Sequence, residues 1–234
     1  MDSDATCLNY IKSYCQIVPG CIWLNGKEFF KTNQNPVVMD DFFNAVYKHA
    51  GINYRKFFKM DALSKLGFIA SEILLAGIDR EQPKPDMGII LFNKSSSLDA
   101  DLNFQVTIKD KENFFPSPKE FVYTLPNIVT GEIAIRNKIY GETVFHVMSH
   151  FAGDTICWTI DDALLHAGIK YALAGWVEVD AFKKDFNCLM MLCTSDQGKK
   201  EIEKNESYLP YDPDEFDDLD FDNVRDLYRE IKNL

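Results

Sequence analysis

Two histidines and an aspartate in the middle of the chain have a spacing that could hold a metal ion. His146, His150 and Asp154 follow one another at intervals of four residues, and on one helix this interval places side chains on the same face. Ser149 directly precedes His150, but neighbouring side chains diverge on a strand or turn, so no serine–histidine pair is predicted. The remaining histidines are expected at the surface or at helix ends, without recognisable partners: His49 and His166.

Thiols are the second group that could do chemistry. The chain has six cysteines, at positions 7, 15, 21, 157, 188 and 193. None forms a CxxC pair, and the closest spacings do not match those of zinc sites. The sequence therefore predicts free, buried thiols.

The C-terminal tail is rich in carboxylates, with 12 acidic and 6 basic residues between positions 199 and 234. Asp218, Asp220 and Asp222 have the spacing of EF-hand ligands, but position 6 of that loop is Asn223 rather than Gly, and position 12 is Arg229 rather than Glu. The sequence therefore predicts a solvated acidic linker over 199–223. An amphipathic helix is predicted over 224–234, docked on this domain or on a partner, because apolar residues recur there at helical spacing: Val224, Leu227, Tyr228, Ile231 and Leu234.

Alternating strands and helices must position these residues. Apolar runs predict strands at 8–18, 87–92, 142–148, 169–179 and 187–193. Helical periodicity and turn signals predict helices over 60–77, 127–137 and 153–167. This order indicates an α/β fold, a mixed sheet with helices on both faces, formed by a domain over 1–198.

Several short segments occur together at characteristic distances. They are Lys-Met-Asp at 59–61, Leu-Pro-Asn at 125–127, single glycines at 141 and 153, and the strand ALAGWVE at 172–178. In this order they resemble the N-terminal half of a β-ketoacyl-[acyl-carrier-protein] synthase, a condensing enzyme of the thiolase fold. The resemblance covers residues 8–193 and implies a thiolase-like half; the family's C-terminal half, with its histidines, has no counterpart in this sequence.

The same distances locate the family's nucleophile. In the family the catalytic cysteine lies nine residues after the turn glycine, three before the small residue and 25 before the glycine of the Ala-Gly strand. Counted from Gly141, Gly153 and Gly175, all three distances reach His150. Cys157 is two helical turns further on. The resemblance thus implies that the nucleophilic cysteine is replaced and that His150 is the one candidate site residue.

The family's nucleophile lies on a sharp turn between a strand and a helix. His150 is therefore expected within the first turn of the helix, near the helix that starts at Asn127 and close to a dimer axis. Because the turn separates His146 from His150, these residues and Asp154 are not expected to share a helical face. No metal or cofactor is predicted.

Two functions follow from the resemblance. The first is a non-catalytic partner subunit in bacterial fatty-acid or aryl-polyene-like polyketide biosynthesis, similar to a chain length factor. It would form a homodimer, or a heterodimer with a full-length ketosynthase, through the strand 142–148, with an acyl carrier protein as a further partner. The alternative is an acyl-thioester enzyme with a rebuilt site, in which His150 acts as a general base.

Composition excludes other classes of function. With 46% hydrophobic and 26% charged residues, the chain has the composition of a folded protein. A net charge of −11 argues against binding to nucleic acids or to anionic membranes. No apolar run is long enough to span a membrane, and the first residues do not resemble a signal peptide, so a cytoplasmic protein is predicted.

Overall fold

A computed structural model describes residues 10–112, 114–209 and Leu227. The strands are β1 (Tyr10–Val18), β2 (Cys21–Leu24), β3 (Lys27–Lys31), β4 (Met87–Asn93), β5 (Thr143–Val147), β6 (Tyr171–Asp180) and β7 (Asp185–Thr194). The helices are α1 (Met39–His49), α2 (Ala62–Leu74), α3 (Leu98–Ile108), α4 (Pro118–Val122), α5 (Ile128–Asn137), α6 (Gly153–His166) and α7 (Asp196–Glu203), with a 3₁₀ helix at Arg55–Lys59.

All seven strands form one mixed sheet in the order β3-β2-β1-β7-β6-β4-β5. Strand β4 pairs in parallel with β5 and with β6. The remaining pairs, from β6 through β7, β1 and β2 to β3, are antiparallel. The mixed sheet predicted from the sequence is confirmed, and β5 is one of its two edges.

Helices cover both faces of the sheet, and strand β7 shows how the side chains divide between them. Cys188 and Met190 belong to a core cluster shared with α1, α2 and α5, on what we call the α2 face. Met191 and Cys193 belong to a second cluster, shared with α6, on the opposite α6 face. This alternation is the period of two expected for a strand that is buried on both sides.

The described cysteines form no disulfide bond with one another and are buried, as the sequence predicts: Cys15, Cys21, Cys157, Cys188 and Cys193. Burial raises the pKa of the Cys15 and Cys188 thiols. These thiols therefore stay protonated and act as small apolar groups in the core.

The five predicted strands and the predicted helices over 60–77, 127–137 and 153–167 are all present, with ends shifted by a few residues. The predicted helix over 60–77, for example, is α2, whose N-terminus is capped by Asp61. The Asp61 carboxylate accepts a hydrogen bond from the backbone N–H of Ser64 at 3.1 Å. The hairpin β2–β3 and the helices α1, α3, α4 and α7 were not predicted from the sequence.

The predicted boundary between the domain and the acidic linker, at 198/199, is wrong. Helix α7 runs across it, and its Ile202 is fully buried on the α2 face. Lys170 also forms an ion pair with Glu201 at 2.8 Å, which joins α7 to the start of β6. Residues 199–203 thus belong to the domain. The rest of the predicted linker from 210, including the rejected EF-hand loop, lies outside the described residues, as does the predicted terminal helix apart from Leu227.

Within the described part of the chain, no helix is both long enough and apolar enough to cross a bilayer.

Candidate functional site: the cleft beside His150

The three parallel strands end at the same edge of the sheet, and a cleft of about 320 Å³ opens there. Lys94 follows β4, His150 follows β5, and Glu178 and Asp180 lie at the end of β6. Loops at the carboxyl ends of parallel strands are where open α/β sheets bind ligands. The sequence-predicted candidate His150 therefore lies in a position suited to binding or chemistry.

His150 does not lie in the first turn of the helix, so this prediction is wrong. Helix α6 begins at Gly153, its N-cap is Ala152, and the backbone N–H of Ile156 donates to the carbonyl of Ala152 at 3.1 Å. His150 precedes the N-cap by two residues and is exposed. Because the helix dipole acts mainly within the first turn, its influence on a group at position 150 is weakened.

The expectation that Ser149 and His150 diverge is also wrong. Ser149 Oγ lies 2.9 Å from His150 Nδ1. Both residues lie in a bend between β5 and α6 rather than in a strand. The bend turns the two neighbouring side chains to the same side, so that a hydroxyl lies beside the imidazole that lines the cleft.

The inner wall of the cleft is built around the buried carboxylate of Glu178. Its Oε2 accepts hydrogen bonds from the backbone N–H groups of Lys94 at 2.7 Å and Ser95 at 3.2 Å. These bonds tie the end of β6 to the loop after β4. The sequence motif contained Glu178, but only the fold reveals that it shapes the loop.

An apolar floor and an unsatisfied amide complete the cleft. The ring of Phe151 contacts Trp176 edge-on, with 5.4 Å between centroids. Oδ1 of Asn187 is buried and has no hydrogen-bond partner, and Asn187 lines the cleft. Since buried polar atoms are normally paired, this oxygen is suited to accept a hydrogen bond from a ligand.

Nearby charges have both signs. Asp180 accepts hydrogen bonds from the backbone N–H groups of Lys183 and Phe182, and these bonds lower the pKa of its carboxyl group. Lys94 and Lys183 line the cleft beside Asp180 and Asp185. Such a surface is better suited to a polar, nearly neutral group than to a highly charged ligand.

His146 lies in a different cleft, between β5 and α6, with a volume of about 420 Å³. Its ring stacks on Phe92 at 4.9 Å between centroids. Asp154 lies in the first turn of α6. As expected, the turn after β5 keeps His146, His150 and Asp154 from sharing a helical face. Within residues 10–209, apart from the undescribed position 113, no cluster of histidine, cysteine and acidic side chains could hold a metal ion.

The two remaining histidines do have partners, contrary to expectation. Nε2 of His49 lies 3.0 Å from the carbonyl oxygen of Phe29, and its ring packs against Phe29 and Phe30. His166 ends α6, where its Nε2 lies 3.9 Å from Asp162. Both histidines lie at the last residue of a helix, and neither lines the His150 cleft.

Two of the three glycines used to locate position 150 are required by close backbone contacts. A Cβ at Gly141 would lie 2.3 Å from the carbonyl oxygen of Met87, and one at Gly175 would lie 2.1 Å from that of Leu189. Gly175 also has a φ of +149°. Glycine is therefore required where the loop before β5 passes β4 and where the centre of β6 passes β7.

Solved structures with a similar fold include ketosynthases and their relatives. The ishigamide ketosynthase/chain length factor superposes with a TM-score of 0.58 at 15% identity, over 81% of this chain and 63% of that chain. A type II polyketide synthase acyl-carrier protein in complex with its ketosynthase gives 0.55 at 13% identity, over 84% and 64%. The chain has a thiolase-like ketosynthase half-fold.

A ketosynthase in complex with its chain length factor, from Xenorhabdus doucetiae, also superposes, with a TM-score of 0.50 at 13% identity over 78% of this chain and 76% of that chain. This chain spans 63% of the ishigamide ketosynthase/chain length factor, which is less than two thirds of that protein's length. No family model and no curated protein sequence matches the chain.

Proposed function

We propose that this chain is a non-catalytic subunit, similar to a chain length factor, which pairs with a full-length ketosynthase or with a second copy of itself in bacterial fatty-acid or aryl-polyene-like polyketide biosynthesis. An acyl carrier protein would be the further partner of such a cytoplasmic complex. The observation that carries the proposal is His150, which stands where the distances from Gly141, Gly153 and Gly175 place the family's cysteine.

The chemistry of position 150 supports a non-catalytic role. An imidazole is a weaker acyl acceptor than a thiolate and would give a labile acyl-imidazole. Cys157, the nearest described thiol in sequence, is fully buried on the α6 face. It therefore cannot take over the role of the nucleophile from the cleft.

Within the described residues β5 is an edge strand, and its outer side offers a surface for pairing. Strand β5 bonds to β4 through alternate residues, since the N–H of Ile89 donates to Glu142 and that of Met148 donates to Asn93. The N–H groups of Thr143, Phe145 and Val147 consequently point away from β4. An edge with free N–H and C=O groups is ready to accept another strand.

Co-expression with a full-length ketosynthase tests the pairing, and a synthase encoded beside this chain is the first to try if the neighbouring genes contain one. Val147→Pro removes an outward N–H without removing a bond to β4, whereas Val147→Thr keeps that N–H and serves as the matched control. We expect the parent and Val147→Thr to elute with the synthase, or as a homodimer, and Val147→Pro to elute as a monomer with unchanged thermal stability. A monomeric parent that captures no synthase would contradict the proposal.

A second candidate function rests on the contact between Ser149 and His150. A hydroxyl 2.9 Å from an imidazole can be activated as a nucleophile for acyl transfer or hydrolysis. Here Ser149 Oγ would attack a thioester carbonyl, its proton would pass to His150, and the thiol would leave with that proton.

Labelling with a fluorophosphonate probe, together with thioester turnover, tests this alternative. Activity that is lost in both Ser149→Ala and His150→Ala would support the enzyme and contradict the non-catalytic subunit. We expect no labelling of Ser149 and no turnover, because both side chains are exposed and, among the residues that the structure describes, only Ser149 contacts the imidazole of His150 through a hydrogen bond.

A further inference from the structure

Two pairs of buried apolar side chains lie on the α6 face, and each pair has one member on β1 and one on β7. Ile11 pairs with Cys193, and Tyr14 pairs with Met191. A register shift between Ile11 and Ser13 places Ile11 and Tyr14 on the same face although they are three residues apart. Their exposed fractions are only 3% for Ile11, 8% for Tyr14 and 0% for both Met191 and Cys193.

Helix α6 is too narrow to cover the side chains of β6, β7 and β1 together. It packs on β6, and β1 lies two strands away from β6. Neighbouring strands are about 4.8 Å apart, and a helix with its side chains is about 10 Å wide. A helix centred on β6 therefore ends at about the line of β7, and it leaves Ile11, Tyr14 and the side of Cys193 that faces β1 to be covered by another part of the protein.

Leu227 shows which part that is. It is helical and fully buried, and it belongs to the same apolar cluster as Ile11, Tyr14 and Cys193. The 17 residues between Leu209 and Leu227 can span up to about 56 Å when extended, at about 3.3 Å per residue. This length lets the tail reach the α6 face of its own domain.

We propose that residues 224–234 form an amphipathic helix that docks in cis on the β1–β7 half of the α6 face. Leu227 is its anchor, and the sequence places further apolar residues on the same helical side, at i−3, i+1 and i+4: Val224, Tyr228 and Ile231. The occupied face is closed to other proteins. If the proposed function is right, its partner must therefore bind at the open β5 edge.

Two cysteines on β7 provide a matched pair of reporters. Cys193 faces the proposed helix, whereas Cys188 faces the α2 face. Global unfolding exposes both thiols together, so the ratio of their labelling rates with N-ethylmaleimide, measured by peptide mass spectrometry, reports the uncovering of the α6 face alone. In a chain that ends at Asn223, we expect this ratio to rise at least tenfold over the full chain, independently of protein concentration.

Point variants locate the effect. Leu227→Asp should raise the labelling ratio most, and the milder Leu227→Ala should raise it less. Asn233→Asp adds the same charge outside the apolar stripe and should leave the ratio unchanged. An unchanged ratio in the truncated chain and in both Leu227 variants would overturn the proposal. Protection of Cys193 that grows with protein concentration would also overturn it, because a second copy of the chain would then cover the α6 face. Neither outcome depends on a ketosynthase partner, so the result is separate from that of the proposed function.

Discussion

Asp61 is held mostly away from water at the start of α2, and this burial raises the pKa of its carboxyl group to about 6. The hydrogen bond from Ser64 opposes that shift, whereas the nearby Asp99 adds to it. The folded protein therefore binds a proton at Asp61 more tightly than the unfolded chain, whose aspartates titrate near pH 3.9. The stabilising contribution is full below about pH 4 and is lost as the pH rises through about 6.

Asp61→Asn should remove this pH dependence, because asparagine caps a helix almost as well as aspartate but does not ionise. Relative to the variant, the unfolding free energy of the parent should fall by roughly 2 to 3 kcal/mol between pH 4 and pH 7. Urea titrations at a series of pH values measure this difference. Asp41→Asn, at an exposed position in α1, serves as the control, and equal pH profiles for the parent and Asp61→Asn would contradict the prediction.

The elements that bring His150 to the cleft depend on glycine at the centre of β6. In Gly175→Ala the new methyl group would collide with the carbonyl of Leu189, and the backbone would keep a φ that is unfavourable for alanine. We expect a loss of about 2 to 4 kcal/mol in unfolding free energy.

Gly131→Ala is the matched control for that substitution. Gly131 lies within α5, and nothing lies within 4 Å of a Cβ built there. Alanine favours the helix over glycine by about 0.5 to 1 kcal/mol, so this variant should be more stable than the parent. Denaturant unfolding measures both, and a Gly175→Ala protein as stable as Gly131→Ala would show that β6 can move away from β7.

The molecule as a whole exposes an apolar surface on its α3–α4 side. We call it the α3–α4 patch, formed by Val106, Phe114, Phe115, Phe121, Val122 and Leu125, whose exposed fractions run from 48% to 79%. Its parts lie together, since the N–H of Phe115 donates to Thr107 of α3 and the ring of Phe121 packs on Phe104. Exposed apolar surface of this kind promotes association.

Replacing Phe115 and Phe121 together by serine should lower the binding of an apolar dye and reduce self-association in sedimentation experiments. The unfolding free energy should change by less than about 1 kcal/mol, because exposed side chains contribute little to stability. Phe182→Ser changes a phenylalanine that is 77% exposed on another part of the surface, and it should leave both readouts nearly unchanged. An equal effect of the two changes would show that the α3–α4 patch has no special role.

Much of this architecture is already determined by local sequence. The apolar runs of β1, β4, β6 and β7 and the stripe of α2 specify those elements, because hydrophobic periodicity is a local property. The glycines at 141 and 175 mark long-range contacts, since a Cβ at either position would collide with the backbone of a neighbouring strand. The hairpin β2–β3 and helix α1 were missed although the sequence carries a signal for each. Asn25-Gly26 forms the two-residue turn between β2 and β3, and the buried residues Phe42, Phe43 and Val46 of α1 recur at helical spacing.

Only the tertiary structure decided which side chains contact one another and which are buried. The bend after β5 brings Ser149 to His150 and places His150 ahead of α6, which depends on how the strand and helix pack rather than on the two residues themselves. The burial of Ile202 and the ion pair of Glu201 likewise place residues 199–203 in the domain. The acidic composition of this segment, from which a linker was predicted, could not reveal either contact. Leu227 is the clearest case, because the sequence shows only that this residue is apolar, and the fold shows that it is buried in the cluster on the α6 face.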